Sequence, residues 1–276
     1  MIAAFLLALR EGLEAALIVG LVLGVLVKVR RTGFARMVWA GVATAIAVSL
    51  TLALVLNAAG AQLTGAAETI FEGFTMLLAA GVLTWMIFWM QRQGRRVQQE
   101  LEVEVRLAAT RGQTWGLFGI AFVAVVREGI ETTLFLTAAA MNASTQTTLV
   151  GGLLGLAVAA LLGWGLFAAA VKLDVQRFFR VTGALLILFA AGLVAHAIHE
   201  FNAVGWVPAI VEHVWDINPV LNESAGLGLI LKTLFGYNGN PSLTEVFAYV
   251  GYYCVILIGL RRATRPQPIL TAAAVD

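Results

Sequence analysis

Seven apolar stretches, six of them 20 residues or longer, follow one another along this chain, and that succession leaves few folds open to it. They run over about 2–27, 37–56, 69–90, 115–140, 148–171, 181–200 and 246–260, the last being short and beginning near Thr244. Hydrocarbon offers the backbone no hydrogen-bond partners, so each stretch is expected to close its own bonds as a helix. Sixty per cent of residues are hydrophobic, 12% are charged and mean hydropathy is +0.89, which leaves little length for a soluble domain. The reading is an all-α polytopic membrane protein with seven transmembrane helices. Its one cysteine, Cys254, lies in an apolar stretch, so neither a disulfide framework nor a cysteine metal centre is available. The first stretch is long, carries charges in its middle and lacks a basic leader, so it is expected to stay as helix one rather than leave as a signal peptide.

An odd number of spans puts the termini on opposite sides, and the basic residues say which. Lys28, Arg30, Arg31 and Arg36 follow helix one; Arg92, Arg95, Arg96, Arg106 and Arg111 follow helix three. Lys172, Arg177 and Arg180 follow helix five, and Arg261, Arg262 and Arg265 follow helix seven. The other side carries only Lys232, so the N-terminus is expected outside and the C-terminus inside. Segment 97–108 sets Val97, Leu101, Val105 and Ala108 on one face, which reads as an amphipathic helix lying on the cytoplasmic membrane surface. Acids and bases alternate there, which excludes a nucleic-acid site. Outside, 225–235 is too short to cross, and Ser242-Leu243-Thr244-Glu245 reads as a capping box that gives Glu245 a structural role. After Pro266 the tail is expected to be short and unstructured.

Against this background the sequence Leu9-Arg10-Glu11-Gly12-Leu13-Glu14 stands in the middle of helix one, and Val126-Arg127-Glu128-Gly129-Ile130-Glu131 repeats it in helix four. A charge at mid-bilayer costs about 2.5–3.5 kcal/mol on insertion scales, so six of them need partners or a substrate. Four carboxylates and two guanidiniums sum to a formal charge of −2, which suits a small cation. Carboxylate oxygens are hard ligands that favour iron, manganese or magnesium over copper(I). The competing reading is a pair of Arg–Glu locks, disfavoured because apolar residues replace such locks at little cost in stability.

Helices one to three and four to six read as two copies of one unit, since Ala79-Ala80-Gly81-Val82-Leu83 also returns as Ala190-Ala191-Gly192-Leu193-Val194. An odd count per copy inverts the second one, a transporter plan with its site near the midplane. Helix one then runs inward and helix four outward, and Gly12 and Gly129 are expected to meet. The chain divides into repeat 1–90, a cytoplasmic amphipathic loop 91–114, repeat 115–200, an extracytoplasmic loop 201–244, and a seventh helix with its tail, 245–276. On the outer side Glu68 and Glu72 open helix three, while His196, His199 and Glu200 close helix six. They form either a vestibule that gathers cations or ordinary interfacial polarity. The order His-x-x-His-Glu is not that of a zinc protease, and no Ser/His or Cys/His pair shares a depth, so an enzyme is not expected.

Two Arg-Glu-Gly-x-Glu motifs, Phe71-Glu72-Gly73, Thr84-Trp85-Met86, Phe235-Gly236-Tyr237 and Pro241-Ser242 together resemble the oxidase-dependent iron transporter family, across all seven helices. Length and topology are most similar to its bacterial Efe-system branch. The resemblance implies high-affinity iron import across the bacterial cytoplasmic membrane, with Glu11, Glu14, Glu128 and Glu131 as iron ligands. Iron is then cargo rather than a resident cofactor, and the implied partners are membrane lipid and periplasmic iron-binding or iron-oxidising proteins. The alternatives are an importer of another divalent metal, lead or manganese, and a non-transporting membrane subunit with structural Arg–Glu pairs.

Overall fold

The computed structural model describes residues 1–141, 143–168, 175–223 and 225–263, and the side chains of all these except 91–98, 167–168, 175–176 and 263. Among the described residues the structure is helical, with no strand: α1 (Ile2–Lys28), α2 (Ala35–Ala61), α3 (Ala66–Thr110), α4 (Thr114–Met141), α5 (Thr145–Ala168), α6 (Val175–Ala203), the short α7 (Gly226–Phe235) and α8 (Leu243–Ala263), with a 3-10 turn at Thr32–Phe34. Five helices are long and apolar enough to cross a membrane: α2, α3, α5, α6 and α8. The two that fall short on composition, α1 and α4, are just as long but carry an arginine and two glutamates in their middles. Lys172, Arg265 and the tail after Pro266 lie outside the described residues.

Hydroxyls along the helices are satisfied without leaving them. Thr44, Ser49, Thr51, Thr84, Thr132, Thr137 and Thr182 each donate to the carbonyl four residues back, at 2.7–3.0 Å. The bundle's outer surface is correspondingly apolar, with Leu54, Leu153, Leu161 and Val255 among its exposed side chains.

The packing pairs α1 with α5, α2 with α4, α3 with α6 and α1 with α4. Small residues make the first two pairings tight. A β-carbon added to Gly12 would lie 2.7 Å from Ala159 Cβ on α5, and one added to Gly129 would lie 2.7 Å from Ser49 Cβ on α2. The expected meeting of Gly12 with Gly129 is therefore not what forms: each motif glycine admits a different helix, and the motifs face each other through their charged sides. Gly151 and Gly155 belong to the same seam, since a β-carbon on either would strike the backbone of α1 at Met1 or Phe5.

One apolar cluster joins α1, α3, α4 and α6 through Leu7, Leu83, Phe135, Phe189 and Leu193. A second joins the far end of α1 to α2 and α4, and Val105, Ala108 and Ala109 of α3 are buried in it. This corrects the separate surface helix expected over 97–108. The helix of residues 66–90 continues unbroken to Thr110, and Leu101, Val105 and Ala108 of the apolar stripe pack against the bundle. Polar 91–100 ends the apolar span, but glutamine and arginine are good helix formers and do not end a helix.

At the opposite end, α7 stops on Gly236 in the left-handed region (φ 67°), and that glycine lies against Gly192 of α6 backbone to backbone. The capping box is formed as expected: Ser242 N donates to Glu245 Oε1 at 3.1 Å, and Glu245 N donates to Ser242 Oγ at 3.3 Å. The helix it opens starts at Leu243, one residue before the Thr244 expected.

Candidate functional site

The two motif turns are brought side by side where α1 packs on α4. On α1, Arg10 is 1% exposed and Glu11 is fully buried. Arg10 Nη1 donates to Glu11 Oε1 at 2.6 Å, and its Nη2 pairs with Glu14 Oε1 at 2.7 Å, the i, i+4 neighbour that a helix places on the same face. On α4, Arg127 Nε donates to Glu131 Oε1 at 2.9 Å and lies 4.0 Å from Glu128 Oε1. Arg127 is the more open of the two arginines, with a third of its side chain exposed.

These pairs do not use up the acids. Glu11, Glu128 and Glu131 each offer an oxygen, and the three lie within 4.8 Å of one another. Glu11 Oε2, Glu128 Oε2 and Glu131 Oε2 are buried and receive no N–H or O–H donor from the described residues. Carboxylates this close, out of water, repel unless a cation or proton sits among them. Oxygens about 2.1 Å from a small divalent ion stand at most about 4.2 Å apart, so a trio within 4.8 Å draws somewhat closer to share one. Chemically, the arrangement is a hard-oxygen cage joining two helices, partly neutralised by two fixed guanidiniums.

Glu14 is not one of the three; its Oε1 forms an ion pair with Arg10 Nη2 at 2.7 Å, without hydrogen-bond geometry. The outer residues form no such group either. Glu68 is exposed, Glu72 and Glu200 are half-buried, and their charges are near enough to interact. His199 stands beside them with half its side chain exposed, but its Nδ1 bonds to Glu245 Oε1 at 3.0 Å. Glu245 is fully engaged, taking Asn238 Nδ2 on its second oxygen at 2.7 Å. His196 bonds to the Gly192 carbonyl at 3.1 Å and belongs to α6 itself. Outside the spans, Glu223 accepts Lys232 Nζ and Gly239 N, both at 2.9 Å. Burial alone would push its carboxyl up, but these two donors hold it below the usual carboxylate range.

The sequence reading missed the residues that hold the arginines: Met86, Met90, Trp85 and Trp89 on α3 and Phe179 on α6. Their spacing (85 and 89, 86 and 90) is the available signal, two i, i+4 pairs on adjoining strips of one helix.

Three carboxylates from two helices thus stand close enough together to share one cation. The chain is 36% identical over 256 residues to ferrous iron permease EfeU of Escherichia coli O6:H1, covering 92% of this chain and 93% of that one. It is 36% identical over 271 residues to the protein of the same name from Shigella sonnei (98% of each), and 35% identical over 256 residues to that from Yersinia pestis (92% and 91%). No solved structure matches. Residues 1–264 match a single family along almost the whole chain, and the protein belongs to that family, the iron permease FTR1 family.

Proposed function

We propose that this protein is an iron permease of the bacterial cytoplasmic membrane, that Fe(II) is its cargo, and that Glu11, Glu128 and Glu131 hold the ion in transit. Glu14 joins as a fourth ligand when it leaves Arg10. The observation that carries this is the trio of carboxylates within 4.8 Å, each with a buried oxygen that has no donor. Two structural Arg–Glu locks would need only one acid each, so the surplus acids count against a purely architectural role. The relatives' name, ferrous iron permease, supplies the oxidation state. Manganese and lead remain competitors for the same oxygens, ranked by competition in uptake.

The rest of the proposal concerns architecture. Seven spans, N-terminus outside and C-terminus inside, arise from an inverted pair of three-helix repeats, 1–90 and 115–200. The packing supports this, because exchanging α1, α2, α3 for α4, α5, α6 turns the α1–α5 pair into α4–α2 and leaves the α1–α4 and α3–α6 pairs in place. The two motif glycines follow the same exchange. Segment 91–114 carries the inner extension of α3, 201–244 is the outer cap, and 245–276 is the seventh helix with its tail. Glu68, Glu72, His199 and Glu200 line an outer mouth that gathers ions, handed over by a periplasmic iron-binding or iron-oxidising protein.

The test is uptake of radiolabelled Fe(II), kept reduced, into proteoliposomes holding the purified protein. Glu128→Gln should remove most transport with the protein still inserted. Normal uptake by this variant would end the shared-site reading.

A further inference from the structure

Arg10 and Arg127 sit on different helices and different repeats, yet both rest on the same turn of α3. Arg10 Nη1, besides its bond to Glu11, reaches Met86 Sδ at 3.0 Å, and Nη2, besides pairing with Glu14, reaches Met90 Sδ at 2.7 Å. Arg127 lies over the rings of Trp89 at 4.5 Å and Trp85 at 5.6 Å, and these two indoles stack on each other. The repeat does not reproduce this on α6: the residues matched to Trp85 and Trp89 there are His196 and Glu200, and α6 instead brings the Phe179 ring to 5.7 Å from Arg10.

We propose that Trp85, Met86, Trp89 and Met90 form a platform that positions both guanidiniums, and through them the carboxylates of the ion site. The choice of side chains has a physical reason. A guanidinium has five N–H donors, and in a dry bundle each donor left over costs free energy. A fifth carboxylate would satisfy them but would bind the arginine so strongly that the motif acids lost its charge. A thioether accepts weakly and is uncharged, and a tryptophan face attracts the cation without being a ligand. Both leave the arginine's charge directed at Glu11, Glu14 and Glu131. Met86 is fully buried and Arg10 nearly so, and neither can turn to water instead. The four are positioning residues and touch no ion.

This rests on the iron-transport reading, and the experiment separates the two. Iron uptake is followed as half-saturation and maximal rate for Met86→Leu with Met90→Leu, a volume-conserving change that removes only the acceptors. Half-saturation should rise at least about ten-fold, as for supports of metal ligands, with maximal rate within about two-fold. Met141→Leu, a methionine against the same core with no arginine, should leave both unchanged. Trp89→Leu should raise half-saturation, and Trp89→Phe, which keeps an aromatic face, should restore it. If the methionine pair is not inserted at normal abundance, the Trp89 pair decides. Unchanged half-saturation in the methionine variant, or equal loss in Trp89→Phe and Trp89→Leu, overturns the platform. Glu128→Gln runs alongside: inactive, it confines such a failure to the platform; active, it overturns the site reading and the platform together.

Discussion

At the scale of single residues, charge in this protein is divided between groups that are matched and groups that are deliberately surplus. Arg10 is held by two carboxylates and two sulfurs and has no freedom to be anything else. A lysine keeps the charge but presents one compact ammonium in place of a fork, so Arg10→Lys should retain part of transport where Arg10→Ala abolishes it. Equal loss in both, in uptake assays normalised to protein in the membrane, would mean that charge at this position is irrelevant. Glu223 is the opposite case, an acid fully matched by Lys232 and Gly239. Its folded pKa lies below the ordinary value, so it adds stability above the unfolded pKa, near 4.3, and loses it as pH falls through the folded one. Glu223→Gln should therefore lower the melting temperature at pH 7, with the gap to the parent closing toward pH 3. A gap independent of pH would show that the carboxylate's charge contributes nothing.

At the scale of elements, the motif glycines decide how closely helices approach. Gly12 admits α5 at Ala159, so Gly12→Ala adds a methyl where 2.7 Å is left, and helix backbones must separate to accept it. Such overpacking costs about 1–3 kcal/mol. Removing the opposing methyl should relieve it: Gly12→Ala is expected to lose abundance and transport, and Ala159→Gly in the same chain to recover much of both. Failure of the second change to help would place the defect elsewhere. These contacts also mark where the sequence was legible and where it was not. Arg-Glu-Gly-x-Glu, repeated inside apolar runs, announced charged faces that must meet. The partner of each glycine could not be read, because a glycine states that something comes close without naming it. The inner end of α3 was misread for a related reason. An amphipathic stripe at 97–108 is the same pattern whether lipid headgroups or Val25 and Leu117 cover it, and only the packing distinguishes them.

For the whole molecule, the proposed site turns on α1 and α4 crossing the membrane. Apolarity alone counts five spans, and the two helices it omits are those that hold the site. Their length and packing argue that they cross. α4 has 28 residues, as many as its neighbours need, and it lies along α2, which is apolar enough to span. Glu128 and Glu131 are buried, and Arg127, a third exposed, is paired with Glu131 and lies over Trp89 of α3, which offsets much of the insertion penalty that composition assigns to them. The two counts make opposite demands on one pair of loops. If α4 crosses, Gly112 and Ala143, at its two ends, lie on opposite sides; if it does not, they lie on the same side. A reporter active only in the periplasm should therefore be silent when inserted at Gly112 and active at Ala143. It should also be active near Asn218 and silent after Arg262, as the excess of basic residues on the inner loops requires. Matching signals at Gly112 and Ala143 would remove α4 from the membrane, and the proposed inverted architecture and ion site with it.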